Sequence, residues 1–236
     1  MTLASQSAPQ ANSEATLSSL ASARPTLRWD LDLLRIVAIL GVVAIHVFPV
    51  IQTNEWLRGT ATWDFAVAVK TISIRCVPLF IMISGVLVLA PRMHARGPWD
   101  FYRRRAARLL PAVVFWHLFY LFAIRVWLQG GTLTAKGVAV EVIDARVYTA
   151  LYFLWLILGL YLVAPVLAAF LSQGGRSRAI GTAVVAVGWA SAVWSVPMVT
   201  GLLGAPRPLS AGMLTWWIFY VGTFVAGWAW REPRPS

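Results

Sequence analysis

Six apolar stretches, each close to the ~20 residues that carry an α-helix across a ~30 Å hydrocarbon layer, dominate the chain. They fall at roughly 31–51, 66–90, 109–129, 149–172, 179–200 and 212–230. The composition that accompanies them excludes a soluble globule: 59% of the 236 residues are hydrophobic and 12% are charged, too few charges to cover a water-facing surface. Within lipid, backbone polar groups must be satisfied inside the segment itself. The expected fold class is therefore all-α, a polytopic transmembrane helix bundle of about six spans.

The formal net charge of +11 raises the possibility of nucleic acid, but the 20 Lys and Arg residues fall mainly between apolar runs, where topology signals belong. No nucleic-acid partner is expected. Arg24 and Arg28 precede the first stretch, Arg92, Arg96, Arg103, Arg104, Arg105 and Arg108 follow the second, Arg176 and Arg178 the fourth, and Arg231 and Arg234 the sixth. These are alternate loops, so the positive-inside rule places both termini in the cytoplasm. Residues 1–26, rich in Ala, Ser, Thr and Gln and without Lys or Arg before Arg24, read as a disordered tail rather than a signal peptide, leaving 27–236 as the membrane domain. Cys76 is the only cysteine, which excludes an intrachain disulfide and a multi-cysteine metal cluster. Trp29, Trp63, Trp127 and Trp230 fall near predicted interfaces, whereas Trp155 and Trp189 read as packing residues.

Ionisable groups at membrane depth are costly and point to function by default. In the first stretch Arg35 and His46 are eleven residues apart, about three turns plus 20°, so they share a helix face with a rise of about 16 Å between them. Arg35 then lies near the cytoplasmic interface, where Asp32 can pair with it across one turn, and His46 in the outer half. Snorkelling of Arg35 and simple packing of His46 are the plain alternatives. Arg75, in the second stretch, falls near the midplane at a depth within about 3 Å of His46, which predicts one shared polar pocket. Pro78 should bend the helix beside it by freeing the Ile74 carbonyl. The alternative is a structural arginine bonded to such carbonyls. Ser84, nine residues beyond Arg75, lies on the opposite face, and with Gly85 it suits close helix contact rather than nucleophilic chemistry. In GPWDFYRRRAARLLPAV, Arg105 and Arg108 share a face suited to phosphate, against the alternative that this cluster only sets topology or touches anionic lipid head groups.

Four segments together resemble the acyltransferase-3 family of multi-span enzymes that O-acylate surface polysaccharides: LDLLRIVAILGVVAIH, RCVPLFIMISGVLVL, FYRRRAARLLP and YFLWLILGLYLVAPVL. The resemblance implies transfer of an acyl group, usually acetyl from acetyl-CoA or another acyl-CoA as co-substrate, to a hydroxyl of a glycan or lipid-linked sugar. Matched by position, His46 and Arg35 are the signature pair, Arg75 the intramembrane arginine, and Arg105 with Arg108 the cytoplasmic pair. Neutral imidazole, with an unperturbed pKa of about 6.5, suits the role of general base, and Arg75 or Arg35 that of oxyanion stabiliser. Arg105 and Arg108 would hold CoA phosphates. No metal and no resident cofactor are expected.

Where the family often reads His-Leu-Trp-Phe, this chain has Ala150, Leu151, Tyr152 and Phe153, so that histidine has no counterpart. Members usually carry about ten spans, and six predicts a truncated or short variant whose bundle is completed by self-association or a partner. The expected location is the inner, cytoplasmic membrane, multi-pass and in contact with its lipids. Two other classes stay open: a transporter or flippase lined by Arg35, His46 and Arg75, and a non-catalytic fragment.

Overall fold

The computed structural model describes residues 29–230; the expected N-terminal tail lies outside the described residues. The chain divides between Leu34 and Arg35, and since 29–34 are the only described part of the first unit, the packing below is that of 35–230. Among the described residues every regular element is helical. We label them α1 (Trp29–Val47), α2 (Ala61–Ser73), α3 (Cys76–Val88), α4 (Pro98–Leu118), α5 (Ala135–Ile143), α6 (Tyr152–Leu202) and α7 (Val221–Ala229). Four stretches are long and apolar enough to cross a membrane: Asp32–Gln52, Ala61–Val88, Pro98–Leu128 and Thr149–Leu202. Their surface bears this out. Val166, Val185 and Met198 are each at least 70% exposed, an outward display of large apolar side chains that suits lipid and not water.

Local chemistry explains most element boundaries. Thr60 and Thr134 cap α2 and α5, their side-chain oxygens accepting from the backbone N–H groups of Trp63 and Gly137. The second apolar stretch is interrupted at Ile74–Arg75, the place where Pro78, which lacks an amide hydrogen, deprives the preceding turn of a donor. Beyond α4 the chain widens into a π-helix, Phe119–Leu128, which ends on Gln129 and Gly130.

α6 is two arms joined at Gly175, whose φ of 62° and ψ of −159° lie outside the helical region and in one that favours glycine. The arms run back along each other. The Trp216 ring lies 5.0 Å from Tyr152 and 6.1 Å from Trp194, residues that a single straight helix would hold about 63 Å apart. The predicted fourth and fifth stretches are thus the two arms of one hairpin.

The sixth predicted stretch, 212–230, is shorter as a helix than expected. It forms a 3-10 turn over Trp216–Tyr220 followed by α7, together about 23 Å long. Its opening residues are held in turns instead: the Met213 N–H donates to the Ile143 carbonyl at 2.8 Å, and Trp216 to Gly212. α7 is nonetheless central. A β-carbon on Gly85 or Gly227 would stand 1.9 Å from a carbonyl oxygen of the facing helix, Phe224 and Met82 respectively, so α3 and α7 touch backbone to backbone. Gly222 brings α7 close to the second arm of α6 as well, where a β-carbon would lie 2.7 Å from the Val187 backbone nitrogen. The buried core follows this contact: Ile81, Leu156, Leu160, Leu171, Phe224 and Val225. Ser84, buried beside Gly85, donates its hydroxyl to the Phe80 carbonyl at 2.9 Å, the packing role its register predicts.

The arginine-bearing turns gather at one end of the bundle. His94 lines a groove with Ser172, and Arg176 one with Trp230, while Pro49, Lys70, Asp144, Thr149 and Trp194 meet at the opposite end. This contact pattern predicts that Gly227→Ala lowers the thermal midpoint of the detergent-solubilised protein, by an amount corresponding to about 1–3 kcal/mol of overpacking. Gly181→Ala, where an added β-carbon meets nothing within 4 Å, leaves the midpoint unchanged or raised in the same melting measurement.

Candidate active site

α1 presents one buried stripe to the bundle. Ala38 is fully buried, Arg35, Val42, Ile45 and His46 are half-buried, and Ile36, Val37, Ile39, Leu40, Val43 and Val47 face outward. The stripe follows helical spacing, so Arg35 and His46 share a face as their eleven-residue separation requires. Gly41 sets the helix close against α3: a β-carbon there would lie 2.2 Å from the Cys76 Sγ.

At the end opposite the arginine-bearing turns, His46 lines a cavity of about 640 Å³. Ile45, Ile74 and Val77 form part of its apolar wall, and Tyr152, Trp194, Trp216 and Tyr220 make an aromatic one. Its polar groups, besides His46, are Lys70, Asp144, Arg146, Thr149 and Ser210. Among the described residues His46 has no hydrogen-bond or ion-pair partner, so both ring nitrogens are free for a ligand. The Lys70 ammonium donates to the Gln52 Oε1 at 3.0 Å, and Arg146 pairs with Asp144 at 3.7 Å.

Arg75 does not join this cavity. It is exposed, and its side chain donates from Nη1 to the Thr71 carbonyl at 3.5 Å. The residues of this stretch that line the cavity are Lys70, Ile74 and Val77, and Arg75 is turned about 100° from Ile74.

Arg35 and Arg105 both lie within electrostatic reach of Tyr161, at the other end. The Arg105 guanidinium lies over the rings of Phe101 (5.6 Å) and Tyr161 (5.0 Å), and the charges of Arg35 and Arg105 both act on the Tyr161 phenol. Tyr102 next to Phe101 donates its hydroxyl to the Leu162 carbonyl at 2.7 Å, fixing α4 against α6. Arg108 is exposed and takes no part, although it shares a helix face with Arg105. Arg104 is occupied by Asp100 at 2.7 Å.

Several polar side chains of the bundle are not singled out by the sequence reading. Lys70 lies at the start of the second stretch and Arg146 in a loop, and the fold brings both to the cavity that His46 lines. Arg125, inside the third stretch, pairs with Glu141 and ties the π-helix to α5. His117 is buried and fully occupied: Nδ1–H donates to the Val113 carbonyl at 2.7 Å, and Nε2 accepts from the Trp155 indole at 3.0 Å. Trp155 is thus a packing residue with a polar handle, and Trp189, stacked on Phe219 at 5.8 Å, is the other predicted one. Among the described residues no three His, Cys, Asp or Glu side chains converge as a metal site.

Four helical stretches long and apolar enough to cross a membrane, with large apolar side chains exposed on their outer faces and an imidazole lining a cavity at one end, define an integral membrane protein. A family model described as an acyltransferase domain, that of acyltransferase-3, matches residues 28–234, and the chain belongs to that family. It is a membrane acyltransferase. Neither a curated protein nor a solved structure matches it.

His94 gives this site a pH-dependent flank. Its Nε2–H donates to the Val88 carbonyl at 2.9 Å and its ring lies 4.6 Å from Phe101. Burial pulls its pKa below the ordinary 6.5, the Val88 bond opposes this, and the Arg105 charge adds to the lowering. The folded protein therefore binds fewer protons at His94 than the unfolded chain does. Its stabilising share is complete above pH 6.5 and is lost as pH falls through the lowered folded value. Thermal midpoints measured from pH 7.5 downward will fall below pH 6.5, and His94→Phe will flatten that limb.

Proposed function

We propose that the chain transfers an acetyl group, or another short acyl group, from acyl-CoA to a hydroxyl of a glycan or lipid-linked sugar at the inner membrane. The single observation that carries this reading is His46, partnerless on the buried stripe of α1 and lining a cavity large enough for a sugar. With both termini in the cytoplasm, as the distribution of arginines suggests, that cavity opens away from the cytosol and the Arg35–Arg105–Tyr161 cluster faces it. The family's CoA donor supplies the acyl group from the cytosolic side. Arg105, with Arg35 nearby and Arg108 exposed at the surface, would receive its phosphates. Along α1 the rise from Arg35 to His46 is about 16 Å, a reach suited to an extended pantetheine arm.

In this scheme the neutral imidazole of His46 takes the proton of the acceptor hydroxyl as its oxygen attacks the thioester carbonyl. A C–O bond forms, the C–S bond breaks, and the proton passes from His46 to the departing CoA thiolate. Arg75, whose guanidinium lies outside the cavity, is assigned no step. Self-association or a partner subunit against the outer helix faces remains compatible with this chemistry.

Membranes containing the protein, incubated with labelled acetyl-CoA, will place label in a glycan or lipid-sugar fraction. His46→Ala will reduce that transfer by about 10²–10⁴-fold while the protein remains inserted. Arg105→Ala will raise the KM for the donor more than it lowers kcat. Full transfer by His46→Ala would remove the general base, and donor-independent flux of sugar across proteoliposomes would favour a transporter.

A further inference from the structure

The cavity around His46 carries more positive charge than its neighbours neutralise. Two cations line it, Lys70 and Arg146, against one carboxylate, Asp144, which is already paired with Arg146. Lys70 is half-buried and its only partner is an amide oxygen, that of Gln52; among the described residues no carboxylate lies within ion-pair distance of it. An ammonium that lines a cavity without a counter-ion is an arrangement that an oxyanion completes, since part-buried charges are normally paired. Part of the wall of the same cavity is aromatic, with the Tyr152 and Trp216 ring centroids 5.0 Å apart. Flat rings of this kind take the apolar face of a sugar, and their hydroxyl and indole groups leave the cavity amphipathic.

We infer that this cavity selects an anionic sugar, one whose carboxylate or phosphate sits on Lys70 while its ring packs on the Tyr152–Trp216 wall and a free hydroxyl faces His46. The inference rests on the acyl-transfer reading for calling that sugar the acceptor, but the charge selection it describes is a binding property and is measurable without turnover. A uronate and a sugar phosphate share the chemistry that Lys70 recognises, and they are separable as ligands. Arg146, largely exposed and held by Asp144, is the lesser contributor.

The test uses the full chain in nanodiscs and saturation-transfer NMR with glucuronate, glucose 1-phosphate and glucose as probes. Glucuronate, glucose 1-phosphate or both will bind roughly tenfold more tightly than glucose, the factor expected for one charge-assisted hydrogen bond, and the tighter of the two names the source of the anion. Lys70→Gln will bring the anionic probes down to the level of glucose, and Lys70→Arg will keep the preference. Equal binding of all three sugars, or a preference untouched by Lys70→Gln, overturns the inference. So does a Lys70→Gln variant that loses acetyl transfer with its sugar preference intact, because Lys70 would then serve the reaction and not selection. Selective binding of the anionic probes with no transfer of label from acetyl-CoA to any of them upholds the anion site and instead sinks the acyl-transfer reading.

Discussion

Helices in hydrocarbon gain little by hiding leucine from lipid, so a bundle there is held by how closely its backbones approach. In this protein that approach is concentrated on α7. Gly85 and Gly227 let α7 meet α3 at the distance of bare main chains, and Gly222 does the same against α6. Around this contact the large apolar side chains Ile81, Leu156, Phe224 and Val225 close without a gap for solvent. A short helix at the centre thereby places the second stretch and the α6 hairpin, and with them Ile74, Val77, Tyr152 and Trp194, four of the residues that wall the cavity around His46.

Much of this was legible in the residues. Hydropathy marks the lipid-facing surface, the interval between Arg35 and His46 gives their common face, and Pro78 gives the break beside Arg75. Ser84 reads as a packing residue from its register alone, and so it is. What escaped depends on azimuth and on contacts between distant segments. Matching depth placed Arg75 with His46, but a single residue step rotates a side chain by about 100°, and it is Ile74 that lines the cavity. Arg105 and Arg108 share a face, yet only Arg105 finds rings to lie on, because Phe101 precedes it by one turn and Tyr161 comes from α6. Lys70 acquires its position through the fold: nothing in VAVKTIS announces that Asp144 and Trp216 will stand across from it. The apolar run at 212–230 looked like a full span because composition does not reveal that its first residues bond to Ile143 and to one another.

The three histidines illustrate how environment divides one residue type among different tasks. His117 has its proton and its lone pair both committed, to Val113 and Trp155, and acts as a packing piece. His94 keeps one bond, to Val88, and its partial burial, with the Arg105 charge adding to it, disfavours protonation there. His46 alone has both nitrogens available and opens onto a cavity. Chemistry at the two ends of the bundle differs accordingly: arginine over aromatic rings at one, imidazole with ammonium and carboxylate at the other, and α1 running between them.

At Gly175 the chain reverses with no intervening loop, and Arg178 from the returning arm lies over the Phe170 ring at 4.9 Å while its Nη1 donates to the Phe170 carbonyl at 3.0 Å. The guanidinium therefore closes off the end of the preceding arm. Neither arm is chemically finished without the other. Biogenesis inherits this dependence: the pair suits entry into the bilayer as one hairpin, sealed at its tip before any neighbouring helix has arrived.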